Sequence, residues 1–65
     1  MTTVTVQDVR AAKLCLAGTR PWFRRHGLDW QAFLAHGIDA ARLEATGDTL
    51  AFRVTALARE REARQ

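Results

Sequence analysis

The sequence predicts an all-α fold: one compact domain of about five helices, with three short central helices between two longer ones. Three observations lead there. Gly27, Gly37 and Gly47 recur ten residues apart, and Asp29, Asp39 and Asp48 follow them closely. Glycine ends helices through positive φ and aspartate opens them by accepting backbone N–H bonds, so the series marks helix ends and starts. Apolar residues on either side of it repeat with helical spacing, and no stretch except Thr2–Val6 alternates as a strand would.

Each element has its own signal. Thr5 can cap a helix over 6–17, with Asp8 adding negative charge to the first turn. Val9, Ala12 and Leu16 then share one face, bordered by Cys15, and Gly18 supplies the stop. A short helix follows over 21–26, opened by Pro21, whose missing N–H is not needed in a first turn, and closed by Gly27. Asp29 caps 30–36, which carries Trp30, Phe33 and Leu34 and ends at Gly37. Ile38 precedes the next cap, Asp39, and packs back onto the helix 40–46 that it introduces, where Leu43 is the anchor. Asp48 caps the longest helix, 49–62, with Leu50, Val54 and Leu57 in one stripe, Ala51 and Ala58 beside it, and Phe52 off it. Residues 1–4 and 62–65 are expected to be loose, because the TVTV segment has no strand to pair with. The expected core is Val9, Leu16, Trp30, Phe33, Leu34, Ile38, Leu43, Leu50, Val54 and Leu57.

Size and composition bound the function. The chain has 65 residues, so residues 1–65 form a single domain with a small core. A domain of this size buries only about 60% of the surface its unfolded chain exposes. One cysteine permits no internal disulfide, which makes association with another protein or with itself an expectation. No apolar run is long enough to span a membrane, and the start lacks the regions of a signal peptide. The expected setting is therefore the cytoplasm. The net charge is +3, with ten Lys and Arg, nine of them Arg.

No catalytic or metal constellation stands out. The three aspartates sit where N-caps belong. His26 and His36 precede helix-ending glycines, and with one distant cysteine they match no zinc spacing. Cys15 reads as a small core residue. No nucleotide-binding or hydrolase motif is present, so the expectation is a non-enzyme with no cofactor. The candidate surface is the segment RPWFRRHG, with Arg20, Trp22, Phe23, Arg24 and Arg25. Trp and Arg are favoured interface anchors, and arginines among aromatics also suit phosphates and bases. The segment FLAHGIDAARL has the outline of a helix-turn-helix, which keeps a small DNA-binding regulator as the alternative. Its second helix would set Arg42 against Asp39 and Glu44, a net acidic balance for a surface that must approach a polyanion.

The stretch 6–58 resembles a family of small, mostly uncharacterised proteins encoded by tailed bacteriophages and prophages. The resemblance rests on Ala17-Gly18-x-Arg20-x-Trp22-Phe23, on His26 to Asp29, on Gly37-Ile38-Asp39 and on Ala45 to Asp48. It implies a phage-associated protein of the structural gene block and brings no catalytic residues; the expected function is a protein–protein interaction or assembly module in the host cytoplasm or the virion, with a phage inhibitor of a host protein as a further alternative. Phe33, Ile38-Asp39, Leu43 and Thr46 also resemble the centre of sterile alpha motif domains, small five-helix interaction modules. The chain departs from that pattern after Asp48, where it enters the last helix directly.

Overall fold

The computed structural model describes residues 2–64. It is mostly helical: α1 (Val6–Ala11), α2 (Leu16–Arg25), α3 (Trp30–His36), α4 (Ala40–Glu44) and α5 (Thr49–Ala63), with two-residue strands β1 (Thr3–Val4) and β2 (Ile38–Asp39). The three expected aspartate caps form. Asp29 accepts from Ala32 N–H at 3.0 Å, Asp39 from Ala41 at 3.1 Å and Asp48 from Leu50 at 2.9 Å. Gly27, Gly37 and Gly47 all have positive φ at the helix ends they close.

The first expected helix divides earlier than its glycine. α1 stops at Ala11, and Lys13 takes the left-handed conformation at φ 61°. Lys13 N–H donates to Arg10 O at 2.9 Å and Leu14 N–H to Val9 O at 3.2 Å. This pair of bonds closes a helix end around one left-handed residue, and here a lysine fills the place usually given to glycine. α2 then begins after Cys15, whose side chain makes no capping bond. It runs through Gly18 and Pro21, so neither residue is the boundary expected of it. The reason is burial: starting at Leu16 places Leu16, Thr19, Trp22 and Phe23 along one inward face, at i, i+3, i+6 and i+7. Cys15 is exposed rather than part of the core.

The N-terminal strand does find a partner. β1 pairs antiparallel with β2, Thr3 opposite Asp39 and Val4 opposite Ile38, and Ala40 N–H donates to Thr2 O at 2.9 Å. Gly37 makes this possible. A Cβ there would lie 2.7 Å from both Thr3 Cγ2 and the Val4 carbonyl oxygen, and its φ is +78°. The end of α5 holds the same strand from the other side: Glu62 accepts from Thr3 N–H at 3.1 Å, and Arg61 donates to Thr3 O at 2.9 Å. Thr2–Val4 and Glu62–Arg64 are thus ordered parts of the fold, Arg64 as the C-cap of α5, while the rest of the expected loose ends, Met1 and Gln65, lies outside the described residues.

The core gathers on Phe23. Its ring lies 5.8 Å from Trp22, 5.1 Å from Trp30 and 4.7 Å from Phe33. Around it are Val4, Val9, Ile38, Leu43 and Val54. Leu16, Trp30 and Leu57 are only half-buried, and Leu34, Leu50 and Phe52 are exposed at 46%, 41% and 48%. α5 is turned so that Ala51, Val54, Thr55 and Ala58 face inward instead of the leucine stripe. Small side chains let α4 and α5 approach closely, and the buried Thr55 hydroxyl donates to Glu44 Oε2 at 2.9 Å.

Two ion pairs lock the elements. Asp8, 2% exposed, accepts from Arg61 Nε at 2.9 Å and Nη2 at 3.1 Å, and from the Thr5 N–H at 2.9 Å. Burial pushes its carboxyl up, but the Arg61 and Thr5 hydrogen bonds outweigh it and hold the carboxyl below its ordinary value. Glu44 is gripped by both Arg59 Nη atoms and by Thr55, which lower its pKa from 4.5 to about 2.

Candidate interaction site

Helix α2 stands between two clefts, and both draw their character from its sequence. The apolar cleft lies between the α1–α2 turn, α2 and α5. Its volume is about 240 Å³, and Val9, Leu14, Trp22, Leu43, Leu50 and Val54 are among its lining residues. A dry cavity of roughly 150 Å³ takes a benzene ring, so this cleft has room for one large apolar side chain. It is smaller than the roughly 300–1,000 Å³ of typical small-molecule and cofactor pockets. Cys15, exposed, and Arg25 lie at its edge.

Trp22 forms one wall and is held both at its edge and beside its ring. Its indole N–H donates to Asp48 Oδ2 at 2.9 Å, and the His26 ring packs 4.4 Å from it. The same Asp48 caps α5 through its other oxygen. The Trp22 hydrogen bond, followed by the Leu50 N–H, holds the Asp48 carboxyl below its usual range. Asp48 therefore joins the start of α5 to the middle of α2 and fixes the width of the cleft.

The second cleft, also about 240 Å³, lies between α2 and α3 and is lined by Arg20, Arg24, Leu28, Trp30 and Gln31. The candidate residues thus separate. Arg20, Arg24 and Arg25 are exposed, while Trp22 at 7% exposure and Phe23 at 2% belong to the core. These two aromatics cannot be surface anchors, because α2 turns its 19-22-23 face inward. The aromatic that stands beside Arg20 and Arg24 is Trp30, half-buried, and Leu14 and Leu50 supply the accessible apolar edge of the other cleft.

The charge distribution sharpens the site. From Val9 to Leu28 there are five Lys and Arg residues and no Asp or Glu. Elsewhere the acids are engaged: Asp8 and Glu44 in ion pairs, Glu60 with Arg64 at 3.7 Å, Glu62 on β1, and Asp29, Asp39 and Asp48 as caps. Among the described residues, none of Arg20, Arg24 and Arg25 pairs with a carboxylate. This acid-free run was the signal in the sequence that marks the surface more reliably than the aromatics within it.

Other chemistry finds less support. Among the described residues no three His, Cys, Asp or Glu side chains gather as a metal-ligand set, and no helix is long and apolar enough to cross a membrane. The presumed reading helix of a helix-turn-helix, α4, has five residues, which is about 7.5 Å of helix. One of them, Glu44, is committed to Arg59 and Thr55. The chain matches no protein-family model, no curated protein and no solved structure.

Proposed function

We propose that the protein is a non-enzymatic interaction or assembly module, of phage or prophage origin, that docks a partner protein against α2. The observation that carries this reading is the apolar cleft, open beside Leu50 and edged by Arg25, with Arg20 and Arg24 across α2 at the second cleft. Such a surface combines an apolar recess for an anchor side chain with a polar, charged rim, as protein interfaces do. The resemblance of residues 6–58 to small phage-encoded proteins supports the setting: assembly of the virion, or capture of a host protein. The DNA-regulator alternative is the weaker one, since it must do without a reading helix of useful length.

Cys15 provides a direct test, because it is exposed at the cleft and is the sole cysteine. A photoreactive group attached to Cys15 should give a discrete adduct with one partner in cells carrying the parent phage genome. Leu50→Arg, a surface change at the cleft, should abolish that adduct while leaving the fold intact. The same adducts with and without Leu50→Arg would refute docking at this cleft.

A further inference from the structure

The charge around the cleft says what kind of segment would fill it. We infer that the partner contributes an acidic segment that crosses the outer face of α2, with one large apolar side chain seated in the cleft beside Leu50 and its carboxylates on Arg20, Arg24 and Arg25. The inference rests on the docking reading above and goes on to name the partner's chemistry.

Three observations carry it. The arginines project from the one helix that walls both clefts, so a segment leaving the apolar recess over α2 meets them next. No acid lies between Val9 and Leu28 in the sequence; the one acid at the cleft, Asp48, is held by the Trp22 indole and the Leu50 N–H, and Asp8 and Glu44 are engaged in ion pairs away from it. A guanidinium left without an internal carboxylate is available for a bidentate bond to an external one. The recess itself is lined mainly by apolar side chains, aliphatic ones together with Trp22 and Phe23, and no buried side-chain polar atom among the described residues lacks a partner. A nucleobase entering it would lose the hydrogen bonds of its polar edge without replacement, whereas a leucine or phenylalanine loses none. An acidic peptide therefore fits the pair of features better than a nucleic acid does.

A titration followed by ¹H–¹⁵N NMR separates the outcomes. The probes are a synthetic peptide with a leucine flanked by glutamates, its glutamine counterpart, its Leu→Ser counterpart, and a single-stranded oligonucleotide. The glutamate peptide should shift the Trp22 indole N–H, Gly18 and the Arg20, Arg24 and Arg25 resonances together. The glutamine counterpart should bind about fivefold more weakly, as should the glutamate peptide to Arg20→Gln/Arg24→Gln protein, the loss expected for two exposed ion pairs. Both arginines are exposed, and an unchanged spectrum away from α2 confirms that the variant is folded. Equal binding of the glutamate and glutamine peptides at the cleft would overturn the acidic partner and leave the docking reading standing. Failure of both to bind overturns the two together. An oligonucleotide that shifts the same resonances at lower concentration than the glutamate peptide overturns the inference in favour of nucleic acid.

Discussion

The stretch from Asp29 to Asp48 and the stretch from Ala12 to Arg25 both carry residues that ordinarily mark helix boundaries, aspartate and glycine in the first and Gly18 and Pro21 in the second, yet only the first obeys its punctuation. Between Asp29 and Asp48 every aspartate caps and every glycine ends a helix. Between Ala12 and Arg25 the glycine lies inside a helix, and a lysine and a cysteine occupy the end and the start. Local signals decide where tertiary packing is indifferent. They yield where packing is not: starting α2 at Leu16 buries Trp22 and Phe23, and the burial of two large aromatics, at about 1.5–3 kcal/mol for a ring the size of Phe, outweighs one misplaced glycine at about 1 kcal/mol.

Two glycines make the sharpest contrast. Gly37→Ala places a methyl group against β1 at a positive φ and should destabilise by about 3 kcal/mol. Gly18→Ala meets nothing within 4 Å, and in a helix interior it should stabilise by about 1 kcal/mol. Urea midpoints of the two variants check both signs, and a destabilising Gly18→Ala would restore Gly18 as a helix end.

The next largest effect lies at Asp8. Asp8→Asn removes the charge that Arg61 grips and should cost about 2 kcal/mol, the value of strong charged hydrogen bonds at a buried site. The acid side of the stability curve reports the same chemistry. The Asp8 and Glu44 carboxyls are held below their ordinary values in the folded state, so the unfolded chain takes up protons first as pH falls. Their contribution is complete at neutral pH. For Glu44 it is lost from about pH 4.5 downward, through about pH 2. Glu44→Gln should therefore flatten the fall in urea midpoint over that range, while leaving the slope at neutral pH unchanged.

Smaller effects test the substitute stop and start. Lys13→Gly relieves the left-handed backbone and should stabilise by about 1 kcal/mol. Cys15→Ser supplies the hydroxyl that α2 lacks at its start and should add about 0.5 kcal/mol. Thermal unfolding of each variant against the parent would show the shifts.

These contrasts explain how much could be read in advance. The all-α class, the three caps, the helix ends at Gly27, Gly37 and Gly47, and Val9, Phe33, Ile38, Leu43 and Val54 in the core follow from nearest-neighbour patterns. The pairing of Thr3–Val4 with Ile38–Asp39 does not: Thr2–Val6 alternates, but its partner is only two residues long and carries no periodicity of its own. The Asp8–Arg61 bridge spans 53 residues, beyond the reach of a local rule; Arg61 reads as a charge that complements a helix dipole. α5 rotated because close approach to α4 selects Ala51 and Ala58 over the larger Leu50 and Leu57, and hydrophobicity alone ranks them the other way. The same rotation leaves Leu50 at the cleft. Of the candidate surface, Arg20, Arg24 and Arg25 were identifiable from charge, but the inward turn of Trp22 depended on where α2 begins.

That starting point is the central claim, since the position of Trp22, the apolar cleft and the exposed arginines all depend on it. Backbone ¹³C chemical shifts across Ala12–Arg25 measure it directly. The structure predicts a non-helical break at Ala12–Cys15, with Lys13 left-handed, followed by unbroken helical shifts from Leu16 to Arg25. Helical shifts that continue from Val6 to Ala17 and break at Gly18 would contradict it.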